Sequence, residues 1–143
     1  MIKIFRVDSR VVHGQTVNYW CDKYNISKII VVNDELAKDG FAQLFYKLSI
    51  SNEFQIDFIS IKNSINYNFL DESNYLIIFK GVSDVLKYLK ADGLMDELII
   101  SNTDSNTSKW EVTAGVFISD KDEREINAVK DEFNVNIVYK AIS

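Results

Sequence analysis

The chain has no proline, one cysteine, one histidine and only five glycines in 143 residues. Each scarcity excludes something. A lone Cys21 has no intrachain partner, so the fold cannot rest on a disulfide framework, and it reads instead as a small apolar filler. One histidine and one cysteine also provide no metal-ligating cluster. Without proline the loops lose their usual punctuation, and their boundaries must come from the apolar pattern. Long hydrophobic runs are missing as well. Lys28-Ile-Ile-Val-Val32 and Leu76-Ile-Ile-Phe79 are strand-length, far short of the ~18 apolar residues of a membrane span. The start, Met1-Ile-Lys-Ile-Phe-Arg6, lacks the apolar core of a signal peptide, so a cytoplasmic protein is expected. Nor is there an excess of positive charge: 16 Lys and Arg against 21 Asp and Glu give a formal net charge of -5. That balance opposes a nucleic-acid binder, which needs a basic face for backbone phosphates.

What remains is 47% hydrophobic and 26% charged, the composition of one globular domain over residues 1–143 with a single core. Short apolar runs alternate with amphipathic stretches, which predicts an α/β fold: an open, mainly parallel central sheet with helices on both faces. Strands are expected at Ile2–Val7, Lys28–Val32, Gln55–Ile61, Tyr75–Phe79, Glu97–Ile100, Gly115–Ile118 and Val135–Tyr139. Between them, one helix carries Val17, Trp20, Cys21 and Tyr24 on one face, and a second turns Ala37, Phe41, Leu44, Phe45 and Leu48 inward. A third begins at Gly81, buries Val82, Val85, Leu86 and Leu89, and stops at Asp92-Gly93. A fourth spans Asp120–Phe133, its acidic start reading as a solvated face. Residues 63–74 read as a short helix and loop, and 101–108 as a polar loop. Trp20 and Phe45 read as core residues.

One stretch concentrates chemistry: Arg6-Val7-Asp8-Ser9-Arg10-Val11-Val12-His13-Gly14-Gln15 holds the only histidine and two of the three arginines. Elsewhere the chain uses lysine for positive charge, so the paired arginines point to phosphate, whose oxygens the planar guanidinium fork fits. His13 falls where a strand's carboxyl end meets a helix amino terminus, whose unpaired N–H groups and dipole favour an anion.

This stretch resembles the opening Arg-Ile-Asp-x-Arg-Leu-x-His-Gly-Gln of the IIB components of mannose/fructose/sorbose-type sugar phosphotransferase systems. Trp20 matches a tryptophan of the family's following helix, and Val31-Val-Asn-Asp34-Glu35-Leu-Ala37-Lys-Asp39 resembles its Val-Val-x-Asp-Glu-x-Ala-x-Asp segment. The resemblance implies a protein-N(pi)-phosphohistidine–sugar phosphotransferase. Its histidine takes a phosphoryl group from phospho-IIA and passes it to a sugar bound by the membrane components IIC and IID, at whose cytoplasmic side the domain is held. Departures occur at Ser101–Asn106, which has no glycine where members carry a glycine turn, and at Leu48-Ser-Ile-Ser51, in place of Met-Ala-x-Pro.

The chemistry asks for the residue types present. Imidazole forms a reactive phosphoramidate, so His13 can accept and surrender a phosphoryl group. Transfer depends on positioning and charge stabilisation. Arg10 is the expected clamp, with the Gly14 and Gln15 backbone amides as further donors. Asp8 would orient Arg10 or the imidazole. Arg6 reads equally as a phosphate ligand or an ion-pair member, and Asp34 equally as a helix cap or a site element. No cofactor or metal is required. A module of the same fold that uses phosphorylation of His13 as a switch is the alternative. A phosphate-ester hydrolase is disfavoured by the lack of a second base. The sequence leaves open the sugar, the IIA donor and assembly as a homodimer.

Overall fold

Strands that are buried on both faces have continuous rather than alternating apolar sequences, and the computed structural model forms its sheet from such runs. It describes residues 2–50, 54–69, 73–103 and 108–141, the side chains of Gln15 and Thr16 excepted. The sheet contains β1 (Lys3–Asp8), β2 (Ile26–Val32), β3 (Gln55–Ile59), β4 (Asn74–Phe79), β5 (Glu97–Asn102) and β8 (Asn136–Tyr139). Their order is β3-β2-β4-β1-β5-β8, and every pairing is parallel. In the two central strands, Ile4–Asp8 and Tyr75–Phe79 are buried throughout. A separate antiparallel hairpin, β6 (Lys109–Thr113) with β7 (Val116–Ser119), follows β5. The expected strand at Gly115–Ile118 is its second arm. The first arm, Lys-Trp-Glu-Val-Thr, was not legible because its side chains are mostly exposed and carry no buried alternation.

Helices cover both faces. Val17, Trp20 and Cys21 of α1 (Gly14–Tyr24) pack on one face. Val82, Val85 and Leu89 of α4 (Val82–Lys90), with Ile126 and Val129 of α5 (Asp120–Phe133), pack on the other. The remaining helices are short: α2 (Gly40–Leu48) and α3 (Ile61–Ile65). The chain leaves β1 toward the first face, whereas its sheet neighbours β4 and β5 lead to elements on the second. The carboxyl end of β1 therefore opens on the kind of crevice where open α/β sheets bind ligands.

The stops and caps follow local chemistry. Asp92 takes the left-handed conformation (φ 71), and the Gly93 N–H closes the end of α4 on the Tyr88 carbonyl at 2.9 Å. Glycine is needed there because a Cβ would lie 2.6 Å from the Tyr88 ring. At α5 the acidic start is not wholly solvated. Asp122 is buried, completes a capping box with Ser119 and accepts from the Thr103 hydroxyl at 2.6 Å.

The second helix departs from expectation. The inward face predicted for Ala37, Phe41, Leu44, Phe45 and Leu48 assumed one unbroken helix. The chain instead makes a 3-10 turn at Leu36–Lys38 and restarts at Asp39, whose carboxylate caps Ala42. The restart resets the phase, so Ala42 and Tyr46 face the sheet. Phe41, Leu44, Phe45 and Leu48 are 84%, 56%, 65% and 78% exposed. Phe45 is therefore not a core residue, whereas Trp20 is, at 1% exposure.

Candidate functional site

The site begins with an irregularity at the end of β1. The pairing of β1 with β5 shifts between Val7 and Asp8, a distortion of the kind that re-aims a side chain. Asp8 is fully buried. The chain turns at once: the Val11 N–H meets the Asp8 carbonyl at 3.0 Å, with Val11 in the left-handed region at φ 66. A β-branched residue adopts that conformation only under constraint, and the constraint is burial, since Val11 and Val12 are anchored in the apolar layer under α1. His13 follows as an extended N-cap whose side chain makes no capping bond. The imidazole is thus free to face the crevice beside the open N–H groups of the first turn of α1.

Asp8 joins the other groups. One carboxylate oxygen, Oδ1, accepts the Arg10 backbone N–H at 3.0 Å and Arg10 Nε at 3.4 Å. The other, Oδ2, accepts from Arg6 Nη2 and lies 3.3 Å from His13 Nε2. The arginines divide by exposure. Arg10 is 49% exposed and makes no other hydrogen bond or ion pair among the described residues, leaving its terminal nitrogens toward solvent. Arg6 is fully buried, donates Nε to the Ser101 hydroxyl at 3.2 Å and lies over the Trp20 ring with Cζ 5.7 Å from the centroid. Burial pulls its pKa down to about 10 against the opposing pull of Asp8. This places Arg6 beneath Asp8, as the counter-charge that lets a buried carboxylate persist.

The structure therefore brings together Arg6, Asp8, Arg10, His13 and the Gly14–Gln15 helix start. Asp34 stands apart. Its Oδ1 accepts the Ile61 N–H at 2.9 Å, anchoring the start of α3, and β4 separates its strand from β1, which spaces the strands by about 10 Å. The neighbouring turn is capped by Asn33, whose side chain accepts the Leu36 N–H. Ser101 escaped sequence reading because its role exists only once β5 lies beside β1. Residues 104–107 of the polar loop fall outside the described residues.

Electrostatics favour a neutral imidazole. Burial first, then the Arg10 cation, lowers the His13 pKa below 6.5, with Asp8 opposing. A neutral ring facing the Asp8 carboxylate through Nε2 donates Nε2–H to it, which leaves the lone pair on Nδ1. With one histidine, its ring proton signals are unambiguous in an NMR titration, which is expected to give a midpoint below 6.5. Replacing Arg10 by Gln removes a cation and raises that midpoint; an unchanged or lower value would contradict the charge arrangement. Because the folded pKa is the depressed one, this residue leaves stability unaffected well above pH 6.5 and reduces it as pH falls through the unfolded value.

Comparison with known proteins bears on the family of the whole chain. A family model described as the PTS system sorbose subfamily IIB component matches residues 2–142. A probable phosphotransferase enzyme IIB component of Streptococcus pyogenes is 29% identical over 105 residues, covering 71% of this chain and 64% of the relative's length. The sorbose-specific EIIB component of Lacticaseibacillus casei is 21% identical over 145 residues, covering 96% of this chain and 88% of the relative. Among solved structures, the N-acetylgalactosamine-specific IIB component 1 of Escherichia coli superposes with a TM-score of 0.88 at 22% identity, over 99% of this chain and 94% of that one. The IIBSor domain of the sorbose permease of Klebsiella pneumoniae gives 0.83 at 19% identity, over 100% and 90%. These structural likenesses carry the fold alone. The family model spans both the opening motif and the sheet that positions it, and by that match the chain belongs to the sorbose subfamily of phosphotransferase-system IIB components.

Proposed function

We propose that His13 accepts a phosphoryl group from a phospho-IIA protein and delivers it to a sugar bound by IIC/IID membrane components, with this domain on their cytoplasmic face. The observation that carries this reading is the 3.3 Å approach of His13 Nε2 to the Asp8 carboxylate. It supports a ring hydrogen on Nε2, donated to the carboxylate, with the lone pair on Nδ1 as the nucleophile. In the first step a P–N bond forms at Nδ1 as the donor's P–N bond breaks and its imidazole leaves. In the second a sugar hydroxyl oxygen attacks the phosphorus as the His13 P–N bond breaks, the hydroxyl proton passes to water, and His13 leaves as a neutral imidazole with its Nε2–H still donated to Asp8. Arg10 and the amides opening α1 would bind the equatorial oxygens. The site is shallow enough to admit another protein's histidine, since His13 retains 30% side-chain exposure.

The test is a complete relay. Phosphoenolpyruvate, the general phosphotransferase proteins, a mannose-type IIA, this chain and vesicles holding IIC/IID are expected to yield sugar phosphate, and no product without this chain. Stable phosphorylation that never reaches sugar with any permease would favour a regulatory switch instead.

A further inference from the structure

We infer that the exposed apolar face of α2 is the contact surface between two copies of this chain, arranged about a two-fold axis passing between Leu44 and Phe45. Phe41, Leu44, Phe45 and Leu48 follow helical spacing on one face and are each more than half exposed. None is needed by the chain's own core, because Ala42 and Tyr46 make α2's contacts with the sheet side. Four such side chains present roughly 500 Å² of apolar surface, the size of a monomer's largest exposed patch, which is often a contact site. Two copies would bury about 1,000 Å² before the polar rim is added, the lower bound of a specific interface.

The pattern favours a second copy over an unrelated partner. Packed antiparallel about the helix midpoint, Phe41 of one copy meets Leu48 of the other, and Leu44 meets Phe45, so a ring faces an aliphatic side chain at every position. This is the self-complementarity that an isologous two-fold contact demands. Charge follows the same symmetry. Asp39 caps one end of α2 and Lys47 lies in its last turn. Lys47 has no ion-pair partner in its own chain among the described residues, and antiparallel packing sets it on the flank of the contact, opposite the other copy's Ala42 and three residues from that copy's Asp39. The two helix dipoles also oppose.

Sedimentation equilibrium of the full chain at micromolar concentration tests this, with mass as the readout and no dependence on the phosphoryl reading. The wild type is expected at twice 16.5 kDa. Phe45→Glu is expected at the single mass with an unchanged circular dichroism spectrum. Lys47→Glu, on the exposed rim, guards against misfolding of the first variant and should raise the dimer dissociation constant by roughly tenfold. Because Cys21 is buried, a Leu44→Cys variant presents one accessible thiol and should form a disulfide-linked dimer on mild oxidation. A wild-type monomer across the range would overturn the inference, as would a dimer indifferent to both α2 charge variants. So would a monomer whose Phe45→Glu form instead loses binding to a IIA protein or to lipid vesicles, since the face would then belong to that occupant.

Discussion

Asp8→Ala is expected to lose about 3–5 kcal/mol of folding stability and, with it, phosphoryl acceptance. Both partners of the Arg6–Asp8 pair are fully buried, so deleting the carboxylate strands a guanidinium whose Nη1 already has no hydrogen-bond partner among the described residues. Among the described residues, Ser101 and the face of Trp20 would remain to compensate it. The double variant Arg6→Met/Asp8→Ala separates two roles. Removing both charges should restore most of the stability, because an apolar pair of similar volume tolerates this interior. Phosphoryl acceptance should stay low, because His13 has then lost the oxygen that holds its Nε2. Urea midpoints and initial phosphorylation rates read the two effects apart. An Asp8→Ala protein with an unshifted midpoint would show that the pair is not the keystone of this loop.

Arg10→Ala should do the reverse, slowing phosphorylation by about 10²–10³-fold while moving stability by less than about 1 kcal/mol. Arg10 is half exposed and its side-chain contact with Asp8 is 3.4 Å, the geometry of a weak pair. It is close enough to His13 for its charge to lower the imidazole pKa and is exposed enough to meet a phosphate there, whereas Arg6 is enclosed. Arg10→Lys should recover only part of the rate, because a point charge does not reproduce two parallel donors. Full activity in the Lys variant would reduce the clamp to simple charge. Unaltered kinetics in Arg10→Ala would remove it from the mechanism.

Much of this arrangement was legible in the sequence for identifiable reasons. The apolar runs at residues 29–32 and 75–79 are buried throughout, and the Asp120–Phe133 helix matches its observed bounds because Ser119, Asp122 and the apolar spacing of Ile126 and Val129 agree. His13 was placed at a strand–helix junction by pattern alone. The division of labour between the arginines was not readable, since alternation along β1 says nothing once both faces are covered, and Arg6 is buried by β4, β5 and Trp20 together. The orientation of α2 failed for a different reason. Phe41, Leu44, Phe45 and Leu48 have an amphipathic pattern that specifies a contact but not whose, and a one-residue break at Asp39 turned that face outward. Ser101 and the Thr103–Asp122 link join residues distant in the chain and leave no local trace.

The most direct measurement is intact mass after incubating the purified chain with phosphoenolpyruvate, the general phosphotransferase proteins and a mannose-type IIA, beside His13→Ala. The account predicts a single acid-labile phosphoryl adduct on the wild type and none on the variant. An adduct that persists in His13→Ala, or a wild type that stays unlabelled with several active IIA donors, would contradict it.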